Sequence, residues 1–393
     1  MRKENLYLIR LDVVKAFTLR VTKDMFQAAK KIVIKVGSSL LMDANSSVLN
    51  KKWLQSLSED INDLIKSGKQ VIIVSSGAVA LGLERMSVKR DKAKIAQLQA
   101  AASVGQIILM GAYVDAFIPS NINVSQVLLT IDDIEDRRRY INSLNTLNYL
   151  LEAGVVPIIN ENDTVGTAEL RYGDNDRLAA RVAQMISADM LILFSNVTGL
   201  YRSSTRGKLD KESIIPIVDQ VTPDILSLAN TSISAYGSGG MKTKLEAAKI
   251  ATETGCGMII CDGRVNHPLN VLATTGIGTW FTPATSPAKA KKQWILNSQK
   301  IKGSIFIDGG AVEALKKGNS LLPSGIKKID GIFDKGDTVS IMSLKHDEIA
   351  RGLCSYAYAD LDKIIGKRSN EIIDSIGYAG PDEAVHRDNM ALT

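Results

Sequence analysis

At 393 residues, with 45% hydrophobic and 23% charged side chains and nine prolines, the chain has the composition of a globular protein of two or three domains, not of a disordered one. It has no uninterrupted apolar run of about 18 residues, so no membrane span is expected. Three cysteines are too few for a disulfide framework, which points to a reducing, cytoplasmic setting. The formal charge of +6 is uneven: residues 1–31 hold 8 basic against 3 acidic side chains, and residues 300–393 hold 13 against 14. The basic balance is therefore mostly N-terminal and does not describe a nucleic-acid-binding face.

Residues 1–30 form an N-terminal extension without a clean hydrophobic period or a cap tying it to the first strand. It is expected to be an appendage dispensable for the chemistry. Its apolar piece, Leu6–Leu19, carries Arg10, Asp12 and Lys15 and lacks a small-residue cleavage site, so it is not read as a signal peptide. From Lys31 the pattern changes. Short Val- and Ile-rich runs lie at Lys31–Val36, Gln70–Ser75, Val124–Thr130, Val155–Asn160, Met190–Asn196 and Gly257–Cys261, as for strands buried on both faces.

Helix-length stretches separate these runs: Lys52–Lys66, Lys92–Phe117, Asp133–Glu152, Asp176–Ser187 and Met241–Thr254. Several stop at a glycine, at Gly68, Gly154 and Gly255. Alternation of this kind predicts an α/β domain over 31–282, a mostly parallel open sheet between helix layers. Ligands bind such sheets beyond the carboxyl ends of the strands. Past Thr282 the texture shifts to a linker, 283–300, that starts with two prolines in five residues. Strand-like runs at Gly303–Asp308, Gly331–Phe333, Thr338–Met342 and Ile349–Tyr356, with a short helix Gly310–Lys317, then predict a small β-barrel domain over 301–380. Residues 381–393 are left as a tail.

Four loops at strand ends or helix starts carry candidate chemistry. In Lys35-Val36-Gly37-Ser38-Ser39, a lysine in a buried strand is costly unless it reaches a partner, and Gly37 lets backbone N–H groups approach an anion. A lysine snorkelling from a strand end is the plainer reading of that position. Ser75-Ser76-Gly77-Ala78 runs from a strand into a helix, whose N-terminus favours a carboxylate or phosphate. Asn160-Glu161-Asn162-Asp163 and Gly173-Asp174-Asn175-Asp176 place more polar groups near one strand end than a turn requires. They suit an ammonium group and a hydrated Mg²⁺, although Asp174 or Asn175 could simply cap the next helix. Gly237-Ser238-Gly239-Gly240-Met241-Lys242-Thr243-Lys244 opens a helix like a phosphate loop, yet lacks the Walker A spacing, and no G-x-G-x-x-G is present.

Other signals are set aside. His386-Arg387-Asp388 imitates a protein-kinase catalytic loop, but Thr393 stands where its partner Asn is needed and there is no Asp-Phe-Gly. Cys256 and Cys261 read as core thiols, and Arg137-Arg138-Arg139 as a solvated run. None of the three histidines lies near the four loops in sequence, so a histidine base is not expected.

Taken together, Ile34–Ser39, Val74–Ala78, Ile159–Asp163, Val165–Glu169 with Gly173–Asp176, and Gly239–Lys244 resemble the amino acid kinase family, and within it the branch whose acceptor is glutamate. The resemblance covers Lys31 to Tyr378, and the tail domain is similar to a PUA domain, with Gly325-Ile326-Lys327 and Gly336-Asp337 fitting its turns. It implies transfer of the γ-phosphoryl of MgATP to the side-chain carboxylate of L-glutamate, the first step of proline biosynthesis. By matching positions, Lys35 and Lys244 flank the transferring group, and Gly37 and Gly240 supply backbone donors. Ser76 and Gly77 hold glutamate, while Asp163 and Asn175 fix its amino and carboxylate ends. Asp174 or Asp176 orders neighbouring groups or Mg²⁺. Ser195-Asn196 stands where the family usually has Thr-Asp in contact with the nucleotide, and Ser238, Gly239, Met241, Lys242 and Thr243 complete the ATP site.

The resemblance also implies feedback inhibition by L-proline and a homo-oligomer, a dimer or tetramer. Acetylglutamate kinase, aspartokinase and uridylate kinase fit the Asn-Glu-Asn-Asp cluster poorly. An RNA-binding role for the tail domain is disfavoured by its net negative charge, because phosphate contacts need clustered Lys and Arg.

Overall fold

The computed structural model describes residues 21–42, 49–166, 175–202, 204–205, 208–209, 213–231, 240–298 and 300–393. They divide into two compact units, Met1–Ile131 with Thr146–Pro287, and Asp132–Asn145 with Ala288–Thr393.

In the first unit the six Val/Ile runs are β1 (Lys31–Val36), β2 (Gln70–Ser75), β3 (Val124–Leu129), β4 (Val156–Glu161), β5 (Met190–Ser195) and, after the short β6 (Ile217–Val218), β7 (Gly257–Asp262). With β8 (Thr279–Phe281) they form one sheet in the order β3-β4-β2-β1-β5-β7-β8-β6. Every pair along β3-β4-β2-β1-β5-β7 is parallel. β8, not expected from sequence, runs antiparallel to β7; its three residues, with Trp280 and Phe281 fully inside, are too few to show a period. The centre of the sheet is buried on both faces, as continuous apolar runs require. Ile32, Ile34, Ile73, Ile158 and Ile192 share one core with Trp53, Leu57, Tyr113 and Phe117.

Five helices place the chemistry: α1 (Lys51–Lys66), α2 (Ala78–Arg85), α3 (Ile95–Phe117), α4 (Asn175–Met185) and α5 (Met241–Glu253). The three glycine stops, Gly68, Gly154 and Gly255, have φ of +83°, +71° and +83°, the left-handed region that ends a helix at no steric cost in glycine. α3 is the one described helix long and apolar enough to cross a membrane by length and composition. Its few polar residues interrupt the apolar run without lowering its mean, and half of its most apolar window is buried inside the protein. Its buried face packs Leu109, Tyr113 and Phe117 into the core.

α2 and α3 meet backbone to backbone. A Cβ on Gly82 would fall 1.7 Å from the Ala101 carbonyl oxygen, and one on Gly105 would fall 1.8 Å from that of Ala78. Gly105→Ala must therefore push the two helices apart. Overpacking of this kind costs about 1–3 kcal/mol and at times more, so thermal melting should show the midpoint falling by at least about 3 °C. An unchanged midpoint would mean that the helices do not cross here.

The last ten residues of the N-terminal extension pack onto the first unit. Residues 21–28 are helical, Phe26 and Ala29 belong to the core, and Lys69 Nζ donates to the carbonyls of Gln27 and Ala29 at 2.7 and 2.5 Å. A cation at the helix C-terminus satisfies orphan carbonyls. The partner lies about forty residues away, so no local cap announced it.

The second unit holds β9 (Gly303–Ile307), β10 (Ile326–Gly331), β11 (Thr338–Ser343), β12 (Glu348–Leu353) and β13 (Met390–Leu392) in the order β10-β9-β11-β12-β13. Ile305, Ile307, Val339, Ile341 and Tyr356 form its own core. Three expected boundaries change. The strand expected at Gly331–Phe333 is instead β10, which ends at Gly331 where φ is +94° and buries Ile326 and Ile329. Residues expected as a linker hold the helix Pro287–Leu296, with Arg137 stacked 4.8 Å above the Trp294 ring. The expected tail carries β13, paired antiparallel to β12.

Candidate active site

Lys35 sits near the end of β1, in register with Val74 of β2 and Leu193 of β5. Its strand position is close to the carboxyl edge of the sheet, the end where loops turn into helices. There its ammonium lies 2.7 Å from Asp176 Oδ1. Asp176, in the first turn of α4, is fully buried. Its other oxygen, Oδ2, is 2.9 Å from Lys244 Nζ, in the first turn of α5. The Thr243 hydroxyl is 3.0 Å from the same oxygen and 2.9 Å from the Gly240 carbonyl, and its single proton can serve one of them at a time.

Three elements far apart in sequence thus bring two ammonium groups onto one carboxylate. Lys35 and Lys244 are 8% and 7% exposed, so water screens the cluster little. Burial alone would raise the Asp176 pKa, but the charges of Lys35 and Lys244 outweigh it and hold the carboxyl below its usual range. Burial lowers the Lys244 pKa, Asp176 opposes that shift, and the Lys35 charge adds to it. The cluster carries a surplus positive charge at a sheet edge, next to the N-termini of two helices. That is a seat for an anion. Gly37 leaves it open, since a Cβ there would stand 3.7 Å from Lys35 Nζ.

Beside the charged cluster lies a chain of amides. Asn175 Nδ2 donates to the Ser75 carbonyl at 2.7 Å and approaches Ser76 Oγ at 2.8 Å and Asn160 Oδ1 at 3.0 Å. Asn160 Nδ2 donates to Gln106 Oε1 at 2.9 Å, and the fully buried Tyr113 donates its hydroxyl to Ser75 Oγ at 3.0 Å. Gly77, with φ +103°, turns β2 into the N-terminus of α2; a β-carbon would strain that turn. Asp163, Glu161, Gln106 and Ala78 are among the residues lining a pocket of about 210 Å³. Burial pushes the Asp163 carboxyl up to about 6.

Of the residues singled out by sequence, Lys35, Asp176, Thr243 and Lys244 come together, with Gly37 and Gly240 close by. Ser76 and Asn175 meet in the adjoining amide chain, and Asp163 lines its pocket. Met241 is buried, whereas Lys242, one residue on, is exposed. Ser195 ends β5 level with Asp262 of β7, and its hydroxyl is 3.4 Å from Asn196 Oδ1. Asp174, Ser238 and Gly239 lie outside the described residues, as do Gly173 and part of Val165–Glu169. The three histidines are elsewhere: His267 pairs with Asp60, His346 packs edge-on against Phe306, and His386 caps a short turn.

Gln106 and Tyr113 join the amide chain although no sequence motif points to them. The only signal was a lone glutamine among Val104, Ile107, Ile108 and Leu109, a polar residue set in an apolar stretch of helix. No cluster of three or more His, Cys, Asp or Glu that could hold a metal occurs among the described residues. Both oxygens of Asp176 lie within ion-pair distance of an ammonium group.

The sequence pattern of the amino acid kinase family matches residues 30–262, and that of the PUA domain matches residues 303–376. With the parallel sheet and its carboxyl-edge cluster, this places the chain: it belongs to the amino acid kinase family. Among curated relatives, a protein of Paramagnetospirillum magneticum named glutamate 5-kinase is 47% identical over 365 residues, 93% of this chain and 98% of that protein. Another of the same name, from Pelagibacter ubique, is 46% identical over 366 residues, 92% of this chain and 98% of that protein. Among solved structures, carbamate kinase from Giardia lamblia bound to AMP-PNP is similar to 65% of this chain and 99% of that one, at 17% identity and a TM-score of 0.47.

Proposed function

We propose that this chain transfers the γ-phosphoryl group of ATP to the side-chain carboxylate of L-glutamate, giving L-glutamyl 5-phosphate and ADP and opening proline biosynthesis in the cytoplasm. The observation that carries this is the buried Lys35–Asp176–Lys244 cluster at the carboxyl edge of the sheet, and the relatives named glutamate 5-kinase support the choice of acceptor. A carboxylate is already ionised at neutral pH, so the attack needs no general base, in keeping with a cluster that contains no histidine. What opposes reaction is charge. Two unit anions at 4 Å repel by about 4 kcal/mol at an effective dielectric of 20.

Lys35 and Lys244 meet that repulsion, and Asp176 keeps both ammonium groups aimed at one place without neutralising them fully. Catalysis of this kind is positioning and charge stabilisation. Gly37 and Gly240 offer backbone donors, and Ser195-Asn196 and Ser238–Thr243 make up the rest of the nucleotide site. Magnesium enters with the nucleotide as MgATP, held chiefly by its phosphates.

Ser76, Gly77 and Asn175 grip the glutamate, and Asp163 takes its ammonium group. Only ionised Asp163 can do so. As pH falls through about 6, kcat/KM for glutamate should therefore drop by up to about tenfold per pH unit, and Asp163→Asn should show a low value without that acid limb. A profile flat down to pH 5 in the unsubstituted protein would remove Asp163 from substrate binding.

An ADP-release assay over glutamate, N-acetylglutamate, aspartate and UMP tests the whole reading. Turnover with glutamate alone is expected, and turnover with another acceptor instead would replace it. Millimolar L-proline in the same assay should slow the reaction. The exposed apolar stripe Ile107, Val114 and Ile118 on and just beyond α3 supports a homo-oligomer, dimer or tetramer, which sedimentation velocity would reveal; a monomer at all concentrations would exclude it.

A further inference from the structure

The amide chain beside the charged cluster has only one consistent orientation. The Ser75 carbonyl can only accept, so the Asn175 atom 2.7 Å from it must be nitrogen. The Glu161 backbone N–H can only donate, and it lies 2.9 Å from Asn160 Oδ1, so that atom must be oxygen. Asn160 therefore presents its nitrogen to Gln106, and Gln106 must answer with its oxygen. Two main-chain groups thereby dictate the state of a side chain three links away. Gln106 Nε2 is left facing away from Asn160, buried and without a hydrogen-bond partner among the described residues.

Gln106 is 8% exposed and lines the same pocket as Asp163, Glu161 and Ala78. A buried N–H pair without an acceptor is expensive. In a pocket with two acidic side chains, an entering carboxylate also needs donors. We infer that Gln106 is a substrate-recognition residue whose Nε2 donates to the α-carboxylate of the bound amino acid. This rests on the glutamate reading above. Asp163 takes the ammonium group there, and the α-carboxylate is attached to the same carbon, so it falls within the same pocket. Sequence motifs do not reach this residue, because it belongs to the apolar helix α3 and not to a strand-end loop.

Gln106→Glu keeps the acceptor that Asn160 needs and replaces the donor by a second acceptor. With the inferred role, KM for glutamate should rise at least about tenfold, while kcat and KM for ATP stay within about twofold. The decisive readout is the ratio of kcat/KM for glutamate to that for its α-amide. In the variant that ratio should fall at least about tenfold, since a carboxamide can donate to Glu where a carboxylate cannot. If Gln106→Glu folds poorly, Gln106→Met, which has no donor, should lower the same ratio. An active unsubstituted protein whose variants keep that ratio would overturn the inference alone. An unsubstituted protein that releases no ADP with glutamate would instead overturn the functional reading.

Discussion

Lys244→Ala should lower kcat by about 10²-fold or more while leaving the fold intact. Removing one charge-stabilising donor from a water-poor site costs that much where the donor meets charge developing in the transition state. The fold survives because Asp176 is not orphaned: Lys35 remains 2.7 Å from Oδ1, and the Thr243 hydroxyl can donate to Oδ2. Steady-state kinetics with saturating glutamate and ATP, alongside circular dichroism, separate the two effects. Turnover within about threefold of normal in a folded variant would remove Lys244 from catalysis and, with it, the main support for phosphoryl transfer at this edge of the sheet.

Asp176→Ala has the largest expected effect on stability. It strips the counter-charge from two ammonium groups that are each less than a tenth exposed, and breaking a buried pair from one side costs about 3–5 kcal/mol. For a domain of this size that corresponds to a fall in melting temperature on the order of 10 °C. Activity should vanish with it, since Lys35 and Lys244 would no longer be held to one point. Differential scanning calorimetry gives the answer. A melting temperature within about 2 °C of normal would mean that the lysines find water or other partners and that the carboxylate does not organise them.

The order of these two results would also separate roles within the cluster. In the proposed reaction Lys244 would act on the reacting groups, so its loss would be read mainly in rate. Asp176 acts through the lysines, so its loss is read in stability as well.

The six strands around the candidate site were legible because each is a short run of β-branched and apolar residues, and β2, β4 and β7 each start just after a glycine stop. Burial on both faces leaves little freedom in such a pattern. Lys35 stood out for the same reason, since a cation inside an apolar strand calls for a partner. Asp163 and Asn175 were legible as polar residues in excess of what turns need. Gln106 was not, because one glutamine in a long apolar helix has many bland explanations and its partner Asn160 is 54 positions away. The contact of Gly82 and Gly105, the hold of Lys69 on the carbonyls of residues 27 and 29, and the short antiparallel β8 were hidden likewise.

The amino-acid sequence alone determined the alternation of strands and helices, the candidate loops at the strand ends and the residue types gathered there. Local periodicity and local backbone preference act within a few residues and can be read in order along the chain. Only the tertiary structure decided that Lys35 and Lys244 share one carboxylate and that Gln106 Nε2 is buried without a partner among the described residues. Those outcomes depend on distances between groups separated by tens to hundreds of residues, and no local pattern encodes a distance of that kind.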